Sequence, residues 1–406
     1  MKRFLIAIFL LQLACSRTWA QSDWPQFLGP TRNGIYPGEV VDHWPPGGPP
    51  VLWHKDVGAG FSGPVVSTGK LILFHRVNDH ERIECMDAQT GKTLWTSEYP
   101  TGYRDAFGFD EGPRGTPTIA DGRAYTFGAE GKLHCWDLAT GKKVWGVDTA
   151  AKFPVDKGFF GMACSPLVEG NLVIVNIGAT GAGIVAFNKD TGEVAWKAAD
   201  DEAGYASPTA ATIRGKRYLL DLTRAGLVAL EPVTGKVYFH FPWRSRTRES
   251  VNAATPLVVG DEIFISASYG TGAALLRFNE AGPKPIWSGD EILSNHYATS
   301  VIKDGFLYGY DGRQESGPNL RCVELQSGKV RWSQDNFGGG TITLAGGKLL
   351  ILTEKGELIC APASPDAFKP TARAQILSFE VRDYPAIANG RLYARSKDKL
   401  VCVKID

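Results

Sequence analysis

From residue 51 to the end of the chain, apolar and polar residues alternate in short runs separated by Gly, Pro, Asn and Asp. Segments such as "KLHCWD", "GIVAFN" and "GLVALE" read as half-buried strands, and no sustained helical period interrupts them. A nonapeptide follows the strands and recurs. "DAQTGKTLW" (87–95) returns as "DLATGKKVW" (137–145), "NKDTGEVAW" (188–196), "EPVTGKVYF" (231–239) and "ELQSGKVRW" (324–332), with a degenerate copy at 279–287. Upstream of the copies lies a small-Pro-apolar start, as in "SGPVV" (62–66), "GTPTI" (115–119), "CSPLV" (164–168), "ASPTA" (206–210) and "ATPLV" (254–258). Weaker starts at 298–302, 341–345 and 384–388 bring the count to eight units of roughly 40–50 residues, each with four short strands, the period of propeller blades.

The Gly-Lys-Thr of the first copy is not a phosphate loop. Five residues before Gly91 stands Met86 rather than glycine, and the following "TLWTSEY" is strand-like rather than helical. The motif reads instead as a hairpin. Asp87, Asp137 or Asn188 ends the third strand and accepts from backbone N–H groups of the turn. Gly91, Gly141, Gly192, Gly235 and Gly328 supply the positive φ of a type I turn with a bulge. The aromatic four residues later (Trp95, Trp145, Trp196, Phe239, Trp332) lies in the fourth strand and packs between blades.

The final unit stops after three strands, whereas "VLWHKDV" (51–57), carrying Trp53, resembles a fourth strand with no blade before it. Pairing the two hides both open edges. The expectation is an all-β, eight-bladed propeller of four-stranded antiparallel blades closed by an N-terminal strand, with "AQILSF" (374–379) as the fourth strand of the seventh blade. Cys85, Cys135, Cys322, Cys402 and Cys360 fall at one third-strand position, where Ala186 and Ala229 stand in other blades. A small buried group is required there, and the ~10 Å spacing of packed sheets is too wide for a disulfide. Free thiols are expected, and no cysteine spacing matches a zinc or haem site.

Ahead of the repeats, Lys2 and Arg3, an apolar run over Phe4–Ala14 and Thr18-Trp19-Ala20 form a signal-peptide pattern over residues 1–20. Export to the periplasm or beyond is expected, with lipidation at Cys15 the alternative. A Pro/Gly-rich arm (21–50) and a single propeller domain (51–406) would follow, without a transmembrane segment. Cleavage after Ala20 removes Lys2, Arg3 and Arg17 and no acid, turning a formal charge of +1 into −2. Such a balance gives no global attraction to nucleic acid.

The D-x-x-T-G-K-x-x-W repeat resembles the quinoprotein-type (PQQ-like) β-propeller repeat over nearly all of residues 51–406. The exported eight-bladed form is similar to the outer-membrane assembly factor BamB. "DWPQFLGPTRNG" (23–34) and residues 112–145 also resemble secreted PQQ-like propellers of planctomycete-type bacteria. For that group the resemblance implies fold and export. The same repeat occurs in quinone-dependent alcohol dehydrogenases, for which it implies PQQ, a calcium ion held by carboxylate and amide groups, a vicinal disulfide and an aspartate base. This chain has no adjacent cysteine pair.

In a propeller, connections from each fourth strand to the next blade surround the axial funnel, where binding residues concentrate. The candidates there are Arg104, Arg114, Phe160, Tyr205, Arg244, Arg246, Arg248, Asn252, His296, Tyr297 and Arg382. The three arginines at 244–248, beside Trp243, either grip an anionic partner or form a solvated face with Glu249. Arg114 either points into the channel or pairs with Asp110 or Glu111. His296 has no recognisable acidic partner. Phe107 and Phe159 join Phe160 and Tyr205 as an apolar binding surface or as packing beneath the loops. The resulting expectation is a monomeric, non-catalytic scaffold that binds an envelope protein or peptide. The alternatives are a quinone- or metal-dependent oxidoreductase and a carbohydrate-binding module.

Overall fold

A computed structural model of the chain describes residues 23–155, 158–279 and 282–406, so the segment read as a signal peptide, with Cys15, lies outside the described residues. Eight antiparallel sheets follow one another around an axis. In the first blade, Val65–Ser67, Lys70–Val77, His80–Asp87 and Thr93–Pro100 run from the inner to the outer strand. The later blades span 118–148, 167–198, 209–242, 257–289, 301–334, 340–375 and 386–404. Val51–Asp56 pairs antiparallel with Lys399–Lys404 as the outer strand of the last blade, which closes the ring as the open-edge argument requires. In the seventh blade the outer strand is Ala372–Gln375, slightly earlier than the apolar pattern suggested. Among the described residues helix is limited to the single turns Thr149–Lys152 and Gln314–Ser316.

The repeated nonapeptide is a joint between neighbouring blades. Within a blade, Asp87 Oδ1 accepts from the amides of Gln89 and Thr90, and Gly91 takes a φ of 70°. Between blades, the indole of one blade lies on the turn glycine of the next. A Cβ on Gly91 would stand 2.7 Å from the Trp53 ring, and on Gly141 2.5 Å from Trp95. The same holds for Gly192 on Trp145, Gly235 on Trp196 and Gly328 on Trp287. Glycine is therefore required twice, for its positive φ and for its bare face. Each indole N–H also donates to a carbonyl of that next turn: Trp53 to Ala88, Trp95 to Leu138, Trp145 to Lys189, Trp196 to Pro232 and Trp287 to Leu325, at 2.7–3.2 Å. Trp332 meets no turn glycine; it donates to Ser364 and packs on Phe368.

The register explains the cysteines. Cys85 faces Trp95 across the strand pair, Cys135 faces Trp145, Cys322 faces Trp332 and Cys402 faces Trp53. A bulky indole opposite leaves room for a small residue. All six described cysteines are buried and free.

The last blade is bolted to the first by a buried cluster. Lys55 Nζ reaches Glu84 at 2.7 Å, His75 Nε2 stands 3.5 Å from the same carboxylate, and Thr93 donates to it. Burial alone would raise the Glu84 pKa, but hydrogen bonds from His75, Lys55 and Thr93 outweigh it and hold the carboxyl at about 2.

The small-Pro-apolar starts build the inner rim. The Gly63 amide donates to Thr116 Oγ1, Thr116 to Ser165 Oγ, Ser165 to Ser207 Oγ, and Thr255 to Thr299 Oγ1, each bond crossing to the next blade. Beneath this rim the N-terminal arm crosses the axis. Trp24 bridges Val66 of the first blade, and Pro25 accepts from Ile119 of the second. Arg32 donates to the carbonyls of Ser165 and Pro166 in the third blade, and Ile35–Tyr36 adds in parallel to Leu344–Ala345 of the seventh. Contacts on opposite sides of the ring make the arm a plug across one end of the channel.

Candidate functional site

Above the plug lies an axial cavity of about 490 Å³, within the range of small-ligand sites (roughly 300–1,000 Å³). Its floor contains Phe27 of the arm, stacked edge-on against Tyr384 at 5.3 Å, together with Ser165, Ser207 and Asp383. Burial pushes the Asp383 carboxyl up to about 7 against the opposing influence of Arg395, and its Oδ2 has no hydrogen-bond partner.

The walls differ by side. The first four blades supply Phe61, Phe107, Phe109, Phe160 and Tyr205. Phe107 lies 5.5–5.9 Å from Phe109, Phe159 and Phe160, and Tyr205 meets Phe160 edge-on at 5.5 Å. The Tyr205 hydroxyl accepts from the amides of Phe159 and Phe160, which fixes their loop. Phe107 and Phe109 remain 51% and 48% exposed at the mouth. The opposite wall is polar and contains Tyr269, His296, Tyr297, Arg313, Gln314, Glu315, Glu354 and Arg382.

Each cavity arginine has an internal counter-charge. Arg114 donates to Asp105 at 2.9 Å, and Asp105 also accepts from the amides of Phe107, Phe109 and Asp110. Asp105 thus takes the place proposed above for Asp110 or Glu111, because its carboxylate is the hub of that loop. Asp110 instead caps Gly60 and Gly112. The Arg114 guanidinium lies 5.1 Å from the ring centres of both Phe61 and Phe160. Arg382 pairs with Glu354 and Glu380 and stacks over Phe61 and Phe109. Arg313 pairs with Glu315 and stacks over Tyr269.

His296 has more partners than its sequence context showed. Nε2 is 2.8 Å from the Tyr269 hydroxyl, and Glu315 approaches Nδ1 at 3.9 Å. Oriented to satisfy both of its ends, the Gln314 amide donates to Nδ1 at 3.0 Å and accepts from Arg382 at 3.1 and 3.2 Å. This arrangement leaves the proton on Nε2, directed at Tyr269. Burial holds the imidazole pKa down despite Glu315 and Gln314, so the ring is neutral at physiological pH. Tyr297 donates to Glu354 at 2.9 Å.

Of the sequence candidates, Arg114, Phe160, Tyr205, His296, Tyr297 and Arg382 converge on the cavity. The others do not line it. Arg104 pairs with Glu111 on the surface. Arg244 reaches Glu202 at 3.7 Å, Arg248 offers its carbonyl to Arg224, and Arg246 is exposed with no ion-pair partner among the described residues. Glu249 lines the cavity mouth and pairs with none of these arginines. Asn252 is buried and structural: its amide donates to Thr223 and Trp243 carbonyls, and its own carbonyl accepts from Tyr205 and Ala206. Sequence reading missed Tyr269, Arg313, Gln314, Glu315 and Glu354. They belong to hairpins between second and third strands, a class of loop that the search of the connections between blades left out.

A sequence family described as outer membrane protein assembly factor BamB matches residues 79–334 and 316–406. The dehydrogenase subunit of a quinone alcohol dehydrogenase from Gluconacetobacter polyoxogenes is 25% identical over 328 residues, covering 68% of this chain and 43% of the relative. The chain spans less than half the length of the curated relatives it matches. BamB from Moraxella catarrhalis superposes with a TM-score of 0.65 at 16% identity, covering 88% of this chain and 98% of that one. Quinohemoprotein alcohol dehydrogenase from Comamonas testosteroni gives 0.69 at 15% identity, covering 94% and 80%. At these identities the structural likeness shows the fold.

Proposed function

The chain belongs to the β-propeller family described as outer membrane protein assembly factor BamB, and from that premise we propose that it is an exported, non-catalytic scaffold that docks a protein or peptide partner in the cell envelope. The loops around the axial mouth form the docking face. The observation that carries this reading is the aromatic group at the rim. Phe107 and Phe109 are half exposed, yet their loop is anchored by Asp105 and backed by Phe159 and Phe160. Exposed aromatics preorganised on a rigid frame are suited to anchoring a partner, because little side-chain entropy remains to be lost on binding. Among the described residues no helix is long and apolar enough to cross a membrane.

The oxidoreductase alternative requires a calcium-and-quinone site, and the residues here do not fit one. Glu315 is held by Arg313, Glu354 by Arg382 and Tyr297, and Asp383 faces Arg395. Among the described residues no three His, Cys, Asp or Glu side chains come together as metal ligands, and the cysteines are separate and buried.

Immobilised protein should capture a partner from envelope fractions, with capture lost in Phe107→Ser/Phe109→Ser and kept in Arg246→Ser. Capture indifferent to the double substitution would overturn rim docking. Stoichiometric binding of PQQ with calcium, accompanied by alcohol-dependent dye reduction, would overturn the non-catalytic reading.

A further inference from the structure

We propose that the axial cavity is a binding site for a short neutral saccharide, whose C–H face stacks on the aromatic wall while its hydroxyl groups bond to the floor and the polar wall. This concerns the interior of the funnel and does not rest on partner docking at the rim.

The first support is the two-sidedness of the cavity. Phe109, Phe160 and Tyr205 line one side, and the other side carries Tyr269, Gln314 and Glu354. A purely apolar ligand would desolvate the polar wall without repaying it, and a purely polar ligand would waste the rings. A pyranose has both characters, with axial C–H groups on its faces and hydroxyl donors and acceptors around its edge.

Charge accounting selects neutrality. Arg114 is matched by Asp105, Arg313 by Glu315, and Arg382 by Glu354 and Glu380, while Asp383 faces Arg395. An anionic ligand would have to displace a carboxylate already in place, and a cationic one a guanidinium already stacked on Phe61 and Phe160. Breaking a shielded pair exposes an uncompensated charge, so ionic ligands are disfavoured. Glu249 at the mouth is the unmatched exception, and it is solvent-exposed.

The third support is spare hydrogen-bonding capacity on the floor. Asp383 is only 4% exposed and lines the cavity together with Ser165 and Ser207. The hydroxyl oxygens of Ser165 and Ser207 accept backbone N–H bonds, and neither hydroxyl donates to another described residue. Idle hydroxyl donors in the same lining as a carboxylate match the alternating donors and acceptors of a diol.

The test is calorimetric titration of the full chain with cellobiose, maltose and N,N′-diacetylchitobiose, with digalacturonate as the anionic counterpart. At least one neutral disaccharide should bind saturably with a Kd tighter than about 1 mM. Phe160→Leu, which keeps bulk and removes the ring face, should weaken binding about tenfold or more, and Asp383→Asn roughly three- to tenfold, both judged against an unchanged thermal midpoint. Phe109→Ala, at the exposed mouth, provides the same reading should either buried variant misfold. Saturation-transfer NMR should place the ring C–H protons closest to protein aromatics. The inference fails if no neutral probe saturates by about 10 mM, if digalacturonate binds as tightly as the neutral sugars, or if the folded aromatic variants bind undiminished. A protein partner captured through Phe107 and Phe109 with no saccharide bound would sink this inference alone.

Discussion

The outside of the propeller largely repeats one joint, whereas the side chains that line the axial cavity differ from blade to blade. At the periphery five of the eight joints are indole on glycine with an N–H to carbonyl bond. On the axis an aromatic wall faces a polar one, and each cavity arginine is paired with an acid and stacked on a ring, Phe61 being shared by Arg114 and Arg382. A joint that must hold eight similar sheets at similar angles is satisfied by one geometry. A site that recognises a ligand must differ from point to point. Repetition here marks mechanical work, and its absence marks the region proposed above for recognition.

Gly141→Ala tests the peripheral half most severely, since the new Cβ meets Trp95 at 2.5 Å with φ at 72°. A loss of roughly 2–4 kcal/mol is expected in denaturant unfolding, with partial recovery in Gly141→Ala/Trp95→Ala. A loss within ~0.5 kcal/mol would show that the joint is not a tight fit. Next in size is the ring seam. Glu84→Gln leaves Lys55 and His75 without their carboxylate and should cost about 2 kcal/mol at neutral pH. The pH dependence has a definite sign. A folded-state pKa of about 2 lies below the ordinary 4.5, so the contribution is complete above pH 4.5 and is lost as pH falls toward 2. The wild-type melting temperature should therefore fall more steeply over that interval than that of Glu84→Gln, and parallel curves would refute the seam.

The thiols come third. Burial pushes Cys85, Cys135, Cys164 and Cys402 up to about 12. A thiol reagent should find none of the described cysteines in the native protein and all six after unfolding. Fast native labelling would mean that the blades open. Arg246→Ala should have the smallest effect, within ~0.5 kcal/mol, because the side chain is exposed and has no ion-pair partner among the described residues. A larger loss, measured in the same unfolding assay, would put this loop among the structural parts.

How far each half was legible in the sequence follows from the range of its interactions. The blade is local. Period-two alternation, an Asp or Asn at the strand end, a turn Gly and a Trp four residues later lie within one short window, and each has a physical reason independent of the rest of the chain. The small residue opposite the indole follows from the same register, which is why the cysteines were readable as packing. Candidate site residues were half legible: being in a loop between blades put Arg114, Phe160, Tyr205, His296, Tyr297 and Arg382 on the cavity face of the propeller. Loop membership alone could not separate them from Arg104, Arg244, Arg246 and Arg248, which face solvent.

By itself the sequence determined eight blades, their closure by a distant strand, and free buried thiols, because each depends on spacing, edge satisfaction or the size of a single position. Only the tertiary structure decided that Asp105 rather than Asp110 or Glu111 holds Arg114, and that the hairpins carrying Tyr269, Gln314 and Glu354 reach the axis. It also decided that the arm at 23–36 plugs the channel through Arg32, whose partners lie 133 and 134 residues away. The physical reason is ring closure. It brings side chains together across hundreds of residues according to the direction in which each loop leaves its blade, and no local pattern records that direction.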